Sequence, residues 1–357
     1  LSFPQYIHYK GFILLRLMAN RAPGLAFPEL PFFQAQRRFI IQLVNGSRVE
    51  GYVRRIDFNA PHLDESFAYT MEKTGPRMSD GKGKIYYGNA YIRNPQGNYR
   101  IHSKNPMVIK KLNKNWVHNN PQESVMNEIY IANEHGDDIH IAKTHETLED
   151  ERYYYIIMPR LGKDLIDTLK LQNNLCYPTI THRLIQNLCH LKDLGILHCD
   201  ISAENVIYSD IHGRVECPLI DFAMARKCAT DVNGRFSHVI RENPTISLGK
   251  LPYRSPEIWY ARDLNFGVDM WAVGCLLFYL WAGKYLYEAP GDACWNFFVL
   301  GLNQLPRHPR VTGILNLLET RLTEDQRDLL FQIIQPQWEE RATPEEILNH
   351  PYLQNHN

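Results

Sequence analysis

His198-Cys199-Asp200-Ile201-Ser202-Ala203-Glu204-Asn205, followed sixteen residues after Asn205 by Asp221-Phe222-Ala223, is the stretch on which the reading of this chain turns. The second motif comes directly after a strand-like run, 217–220. Two acids and an asparagine on short loops after strands suit one kind of chemistry. Asp221 and Asn205 offer oxygen to a hard divalent cation, and Asp200 can take a proton from a hydroxyl.

The rest of the chain divides around this stretch. From residue 66 the pattern is one of short strands, 67–73, 84–92 and 106–112. Asn120-Pro121-Gln122-Glu123 reads as a capped helix start with Pro at the first helical position. Two strand-like runs follow, 139–144 and 153–158. From about residue 161 onward amphipathic helix dominates. A strand-rich small half before a helix-rich large half predicts an α+β fold with a cleft between two lobes, 66–158 and 159–354. Residues 1–65 read as an extension, in which 38–44 and 48–56 flank Asn45-Gly46-Ser47, a good hairpin turn. Its first 60 residues hold 8 Lys/Arg against 3 Asp/Glu. That suits either a small sheet packed on the lobe or a basic surface that docks a partner.

With these residues in place the chain resembles a eukaryotic protein kinase, whose pattern is H-R-D-x-x-x-x-N followed by D-F-G. The other members of that pattern follow in order, over residues 66–354. Met107-Val108-Ile109-Lys110 resembles the V-A-I-K strand, and the resemblance implies that Lys110 pairs with ATP phosphates and with Glu128; Glu123 and Glu134 are rivals for that partner. Met158 would guard the back pocket, Arg160 and Leu161 would lie in the hinge beside adenine, and Asp164 would meet the ribose. Ser255-Pro256-Glu257 and Arg341 resemble the buried ion pair that closes the activation segment. Asp269-Met270-Trp271-Ala272-Val273-Gly274 matches the D-x-W-x-x-G of the central helix. These last three motifs hold the fold.

The departures are equally specific. Gly81, Gly83 and Gly88 resemble the glycine-rich phosphate loop only with two extra residues before Gly88. Cys199 stands where the family has Arg, which implies activity independent of loop phosphorylation; Thr230, Ser237, Thr245 and Ser247 are the candidate acceptors in that segment. Ala223 replaces the glycine of D-F-G, so flipping of that loop should be restricted. Ser202 replaces a common Lys, and Lys250 replaces the Thr of G-T-x-x-Y. Because those two positions face each other in the family, Lys250 is expected to restore the missing charge.

The resemblance implies a protein kinase that transfers the ATP γ-phosphate to Ser/Thr hydroxyls, with Asp200 as base and Mg²⁺ or Mn²⁺ on Asn205 and Asp221. The alternative is a pseudokinase, a protein-binding scaffold that has lost the reaction. A small-molecule kinase is disfavoured by the pairing of Glu257 with Arg341. Composition fits a folded enzyme: of 357 residues 44% are hydrophobic, and 39 Lys+Arg balance 39 Asp+Glu. Zero net charge gives no global field for nucleic acid. The charge-free run 270–283 is short of the ~20 residues a bilayer needs and reads as a core helix. Seven cysteines without a C-x-x-C pair point to a reducing compartment, cytoplasm or nucleus. The chain starts at Leu1, so the natural start is expected to lie upstream.

Overall fold

A computed structural model describes residues 33–46, 48–56, 67–75, 78, 81–94, 96–102, 106–172, 174–228, 248–260, 263–287 and 322–354. Ten strands form one sheet: β1 (Phe33–Gln42), β2 (Arg48–Ile56), β3 (Phe67–Tyr69), β4 (Lys73–Thr74), β5 (Gly83–Gly88), β6 (Ala90–Arg93), β7 (Tyr99–Ile101), β8 (Met107–Asn113), β9 (Glu146–Glu149) and β10 (Tyr153–Pro159). Their order is β4-β5-β8-β10-β9-β1-β2-β3-β6-β7. Because β3 and β4 belong to one stretch, 67–74, which pairs along its length with 83–93, the pairing returns on itself and closes into a ring.

The hairpin read from the sequence supplies the closure. β1 and β2 pair antiparallel with Gln42 opposite Arg48, and Gly46 in the turn takes φ 85°. β1 then runs parallel to β9, Phe33 against Leu148, while β2 meets β3, Val53 against Tyr69. Inside this lobe Tyr69, Met107, Ile109, Leu148, Tyr155 and Ile157 form one buried cluster. Along β8 Met107 and Ile109 are buried on one face, in this cluster, while Lys110 and Leu112 are buried on the other, toward the helix that follows.

Three sequence expectations need correction. The strand-like run 217–220 is a loop, in which Leu219 makes only isolated bridges to Ile141 and Val206. The helix after β8 does not start at Asn120-Pro121. Asn113 first caps a short helix, α1 (Lys114–Asn119), and Asn120 ends it, its Nδ2 donating to the Trp116 carbonyl at 2.7 Å. The expected helix, α2 (Val125–Glu134), starts one turn later, capped by Ser124, whose Oγ accepts from Asn127 N. Residues 139–144 are not a strand. Asp137 Oδ1 accepts the N–H groups of Ile139 and His140, which folds the run into a loop with only a bridge from Ile141 to Leu219.

After β10 the chain is mainly helical: α3 (Leu165–Leu171), α4 (Tyr177–Asp193), α5 (Pro256–Trp259), α6 (Gly267–Ala282), and then helices Glu324–Ile333, Pro344–Leu348 and Pro351–Gln354. The charge-free run is the core helix α6, ended by Gly283 at φ 70°. Leu184, Leu188, Trp271, Leu276, Phe278 and Leu330 meet in the main core. No described helix is long and apolar enough to cross a membrane. This is the bilobal α+β arrangement that the sequence implied.

Candidate active site

Lys110 points from β8 toward α2. Its Nζ lies 2.8 Å from both Glu128 oxygens and 2.9 Å from Asp221 Oδ1. Glu128 is therefore the helix partner. Burial pulls the Lys110 ammonium down, but Asp221 and Glu128 outweigh it and hold the group above its ordinary value. Burial pushes Asp221 up, and Lys110 with Lys82 reverses that, leaving the carboxyl well below its usual range. The backbone at Asp221 is left-handed, φ 63°, which turns the carboxylate toward Lys110 at the end of the loop 217–220.

Ala223 fits without strain. It lies in a 3₁₀ turn, Phe222–Met224, outside the positive-φ region. Its carbonyl accepts Ser124 N at 2.7 Å, and Asn127 Nδ2 donates to Ala225 O at 2.9 Å, so α2 is tied to the segment that carries Asp221.

The catalytic-loop residues are held from several sides. Asp269 takes the backbone N–H groups of His198 and Cys199, at 2.7 and 2.9 Å. The His198 ring reaches Ile220 O at 3.0 Å, linking this loop to the one before Asp221. Asn205 Nδ2 donates to Asp200 O and Oδ2, which leaves Asn205 Oδ1 as an oxygen donor beside the carboxylates. Asp200 is pushed up to about 6, chiefly by burial and further by Asp221, against the pull of Lys250. Lys250 N donates to Asp200 Oδ1 at 3.0 Å, and its Nζ donates to Ser202 Oγ at 2.8 Å and lies 3.3 Å from Glu204. The cation and the serine that exchanged places in sequence thus meet in space. Gly249, at φ +70°, permits the approach, since a Cβ there would lie 2.8 Å from Cys199 O.

Cys199 itself is buried, at φ 61°, among Leu197, Cys228, Leu248, Ile258 and Leu264. Burial lifts its thiol far above the ordinary range, so it acts as a small hydrophobe. The four candidate phosphorylation sites lie outside the described residues. Glu257 and Arg341 pair at 2.7 Å in full burial.

At the nucleotide end the placement is mixed. Met158 packs against the cluster of Leu112, Val125, Ile129 and Ile156 and so stands at the back of the cleft. Arg160 N–H is taken by Pro106 O at 2.9 Å, and its guanidinium stacks over Tyr87 at 4.2 Å, so its side chain forms a wall. Leu161 follows in the crossing. Asp164 caps α3, Oδ1 accepting Asp167 N at 2.7 Å, and burial raises its carboxyl. Gly81 and Gly83 flank the turn that leads into β5 and lies against Lys111–Asn113 of β8. Gly88 serves the sheet instead, since a Cβ there would sit 1.7 Å from the Thr70 carbonyl and only glycine allows that approach. Lys82, not singled out from sequence, enters the cleft between Gly81 and Gly83 and pairs with Glu123.

Carboxylate and amide oxygens on one side and two lysines on the other fit a divalent cation with a polyphosphate. Fold and site together are a two-lobed cleft lined by these charged groups. The chain belongs to the protein kinase family, whose protein kinase domain matches residues 97–353. It is 26% identical over 226 residues to the serine/threonine-protein kinase cds1 of Schizosaccharomyces pombe, over 60% of this chain and 44% of that one. Over 242 residues it is 26% identical to GLH-binding kinase 1 of Caenorhabditis elegans, 58% and 59% of the two chains. With the serine/threonine-protein kinase Nek3 of Mus musculus it shares 32% over 171 residues, 46% and 30%. The match spans less than two thirds of each of these relatives.

Proposed function

We propose that this protein transfers the γ-phosphate of ATP to Ser or Thr hydroxyls of protein substrates. The observation that carries the reading is the joint arrangement of Lys110, Glu128 and Asp221 opposite Asp200, Asn205 and Lys250. Bound nucleotide with its Mg²⁺ or Mn²⁺, held through Asp221 and Asn205 Oδ1, supplies the transferable group and the neutralising charge. Asp200 accepts the acceptor hydroxyl's proton, oriented by Asn205 and by Lys250 N–H. The Lys250 ammonium, seated on Ser202, places a positive charge beside that carboxylate where the transferring group develops negative charge. Lys110 is kept cationic by its two carboxylates and aimed at the phosphates.

The loop Gly249–Tyr253 before Ser255-Pro256-Glu257 favours Ser/Thr over Tyr, as do the names of the relatives. Residues 66–158 and 159–354 serve as the two lobes, and the β1–β2 hairpin of the 1–65 extension joins the small one. A basic docking role for that segment stays compatible with the closure made by β1 and β2. Balanced charge suits a protein substrate and not nucleic acid, and free cysteines suit the cytoplasm or nucleus. The test is transfer of labelled γ-phosphate to a generic protein and to the chain itself, with Mg²⁺ and with Mn²⁺. Label lost in Asp200→Asn, and recovered on phosphoserine and phosphothreonine, supports the reading. Label equal to that control in the wild type favours the scaffold reading.

A further inference from the structure

The turn that replaces the glycine-rich loop carries a lysine that does not behave like a turn lysine. Lysine is almost never buried unless it is paired. Lys82 is 9% exposed, although it sits between Gly81 and Gly83 at the mouth of the cleft. Its Nζ contacts Glu123 Oε2, lies 4.0 Å from Asp221 Oδ2 and passes 5.5 Å from the Trp116 ring centre. The backbone fixes that direction. Lys82 O accepts Asn113 N at 2.8 Å, and a Cβ on Gly83 would lie 2.0 Å from Lys111 O, so the turn is pressed onto the strand that bears Lys110.

The charges are arranged in parallel. Lys110 has Glu128 on α2 as its own partner, and Lys82 has Glu123 just before α2. Asp221 lies between the two lysines, one oxygen toward each. If Asp221 turns to a cation, each lysine still keeps a carboxylate, and both ammonium groups stay in the pocket. The Asp221 carboxylate, held by two lysines, marks the place where a polyphosphate has its own negative charges.

Resting on the reading of this cleft as a nucleotide site, we propose that Lys82 is a second phosphate-binding lysine, which supplies by side-chain charge what the degraded glycine loop lacks in backbone amides. Its ligand is the polyphosphate of a nucleoside triphosphate, not the base or the sugar. Glu123 is the positioning residue that holds it inward.

Two measurements test this. The first is equilibrium binding of fluorescently labelled ATP and, separately, of adenosine, to wild type, Lys82→Met and Lys82→Arg. A charge-assisted contact corresponds to a loss of roughly ten- to a hundredfold. ATP affinity should fall by that factor in Lys82→Met, recover in part in Lys82→Arg, and leave adenosine affinity unchanged. The second needs no variant: an acyl phosphate of ATP, incubated with wild type and read by peptide mass spectrometry. An amine at the phosphates attacks the acyl carbonyl, forms an amide, releases ATP and gives its proton to water. Acylation of both Lys82 and Lys110, suppressed by ATP but not by adenosine, is expected. Label on Lys110 alone, or ATP affinity in Lys82→Met equal to or above wild type, would overturn the role of Lys82 and leave the site intact. Wild type that binds no ATP and takes no label on either lysine would overturn the nucleotide site itself, and this role with it.

Discussion

Asp200 keeps its charge only above about pH 6, because burial lifts the carboxyl there against the opposing pull of Lys250. A base must be unprotonated to accept a proton, so kcat should fall about tenfold per pH unit below that midpoint. Removing the ammonium in Lys250→Met removes a downward influence, and the midpoint should move to higher pH. That variant should also lose rate at optimal pH, by roughly a hundredfold if it acts as an electrostatic stabiliser. A pH–rate series on both proteins measures the two effects, and an unmoved midpoint would remove Lys250 from the site. At this scale most of the site is legible in sequence: Lys110, Asp200, Asn205 and Asp221 lie in short motifs whose spacing is tied to strands and loops. The exchange between Ser202 and Lys250 is legible too. Lys82 is not, because a lysine between two glycines carries no local sign of burial, and its partner comes from another element.

Among the elements, α2 shows how sequence signals compete. Asn120-Pro121 has the composition of a helix start, yet Asn120 closes α1, and Ser124 takes the capping role four residues later. The loop 139–144 has the apolar positions of a strand, and the Asp137 carboxylate decides otherwise by accepting successive N–H groups. Elements held by buried charge should be sensitive to it. The Glu257 and Arg341 side chains are 3% and 1% exposed. Arg341→Met strands a buried carboxylate and should cost about 3–5 kcal/mol in a denaturant midpoint series. Arg341→Lys should recover little, since Arg341 also donates to Gln335 O and Gly267 O. In the small lobe His145 lies 4.9 Å from the Phe67 ring and 5.5 Å from His102. Burial, and then His102, lowers its pKa from 6.5 to about 4. Between those values the unfolded chain binds the proton and the folded chain does not, so stability contributed by this group is lost as pH falls through that window. Thermal unfolding at pH 7.5, 6 and 5 should show the decline, and His145→Phe should flatten it.

At the scale of the whole molecule, the two lobes and the cleft are readable, because strand-length runs precede helix-length runs. The ring is not. Nothing local in 33–56 says which edge its hairpin will join, and the answer depends on β9, far along the chain. A variant without residues 1–56 should leave β9 and β3 with open edges. It should unfold at lower temperature and aggregate more readily than the intact chain, as scattering during a thermal ramp would show. The closure also sets an order of events during synthesis. Phe33 leaves the ribosome early, but its partner Leu148 emerges only after the whole of β3 to β8. The first hairpin must therefore wait, unpaired on one side, until the strands that complete its sheet are made. Such long-range pairing is slow to form. Premature strand pairing with another nascent chain competes with closure for that interval, which makes the small lobe the step at which a chaperone has most to do.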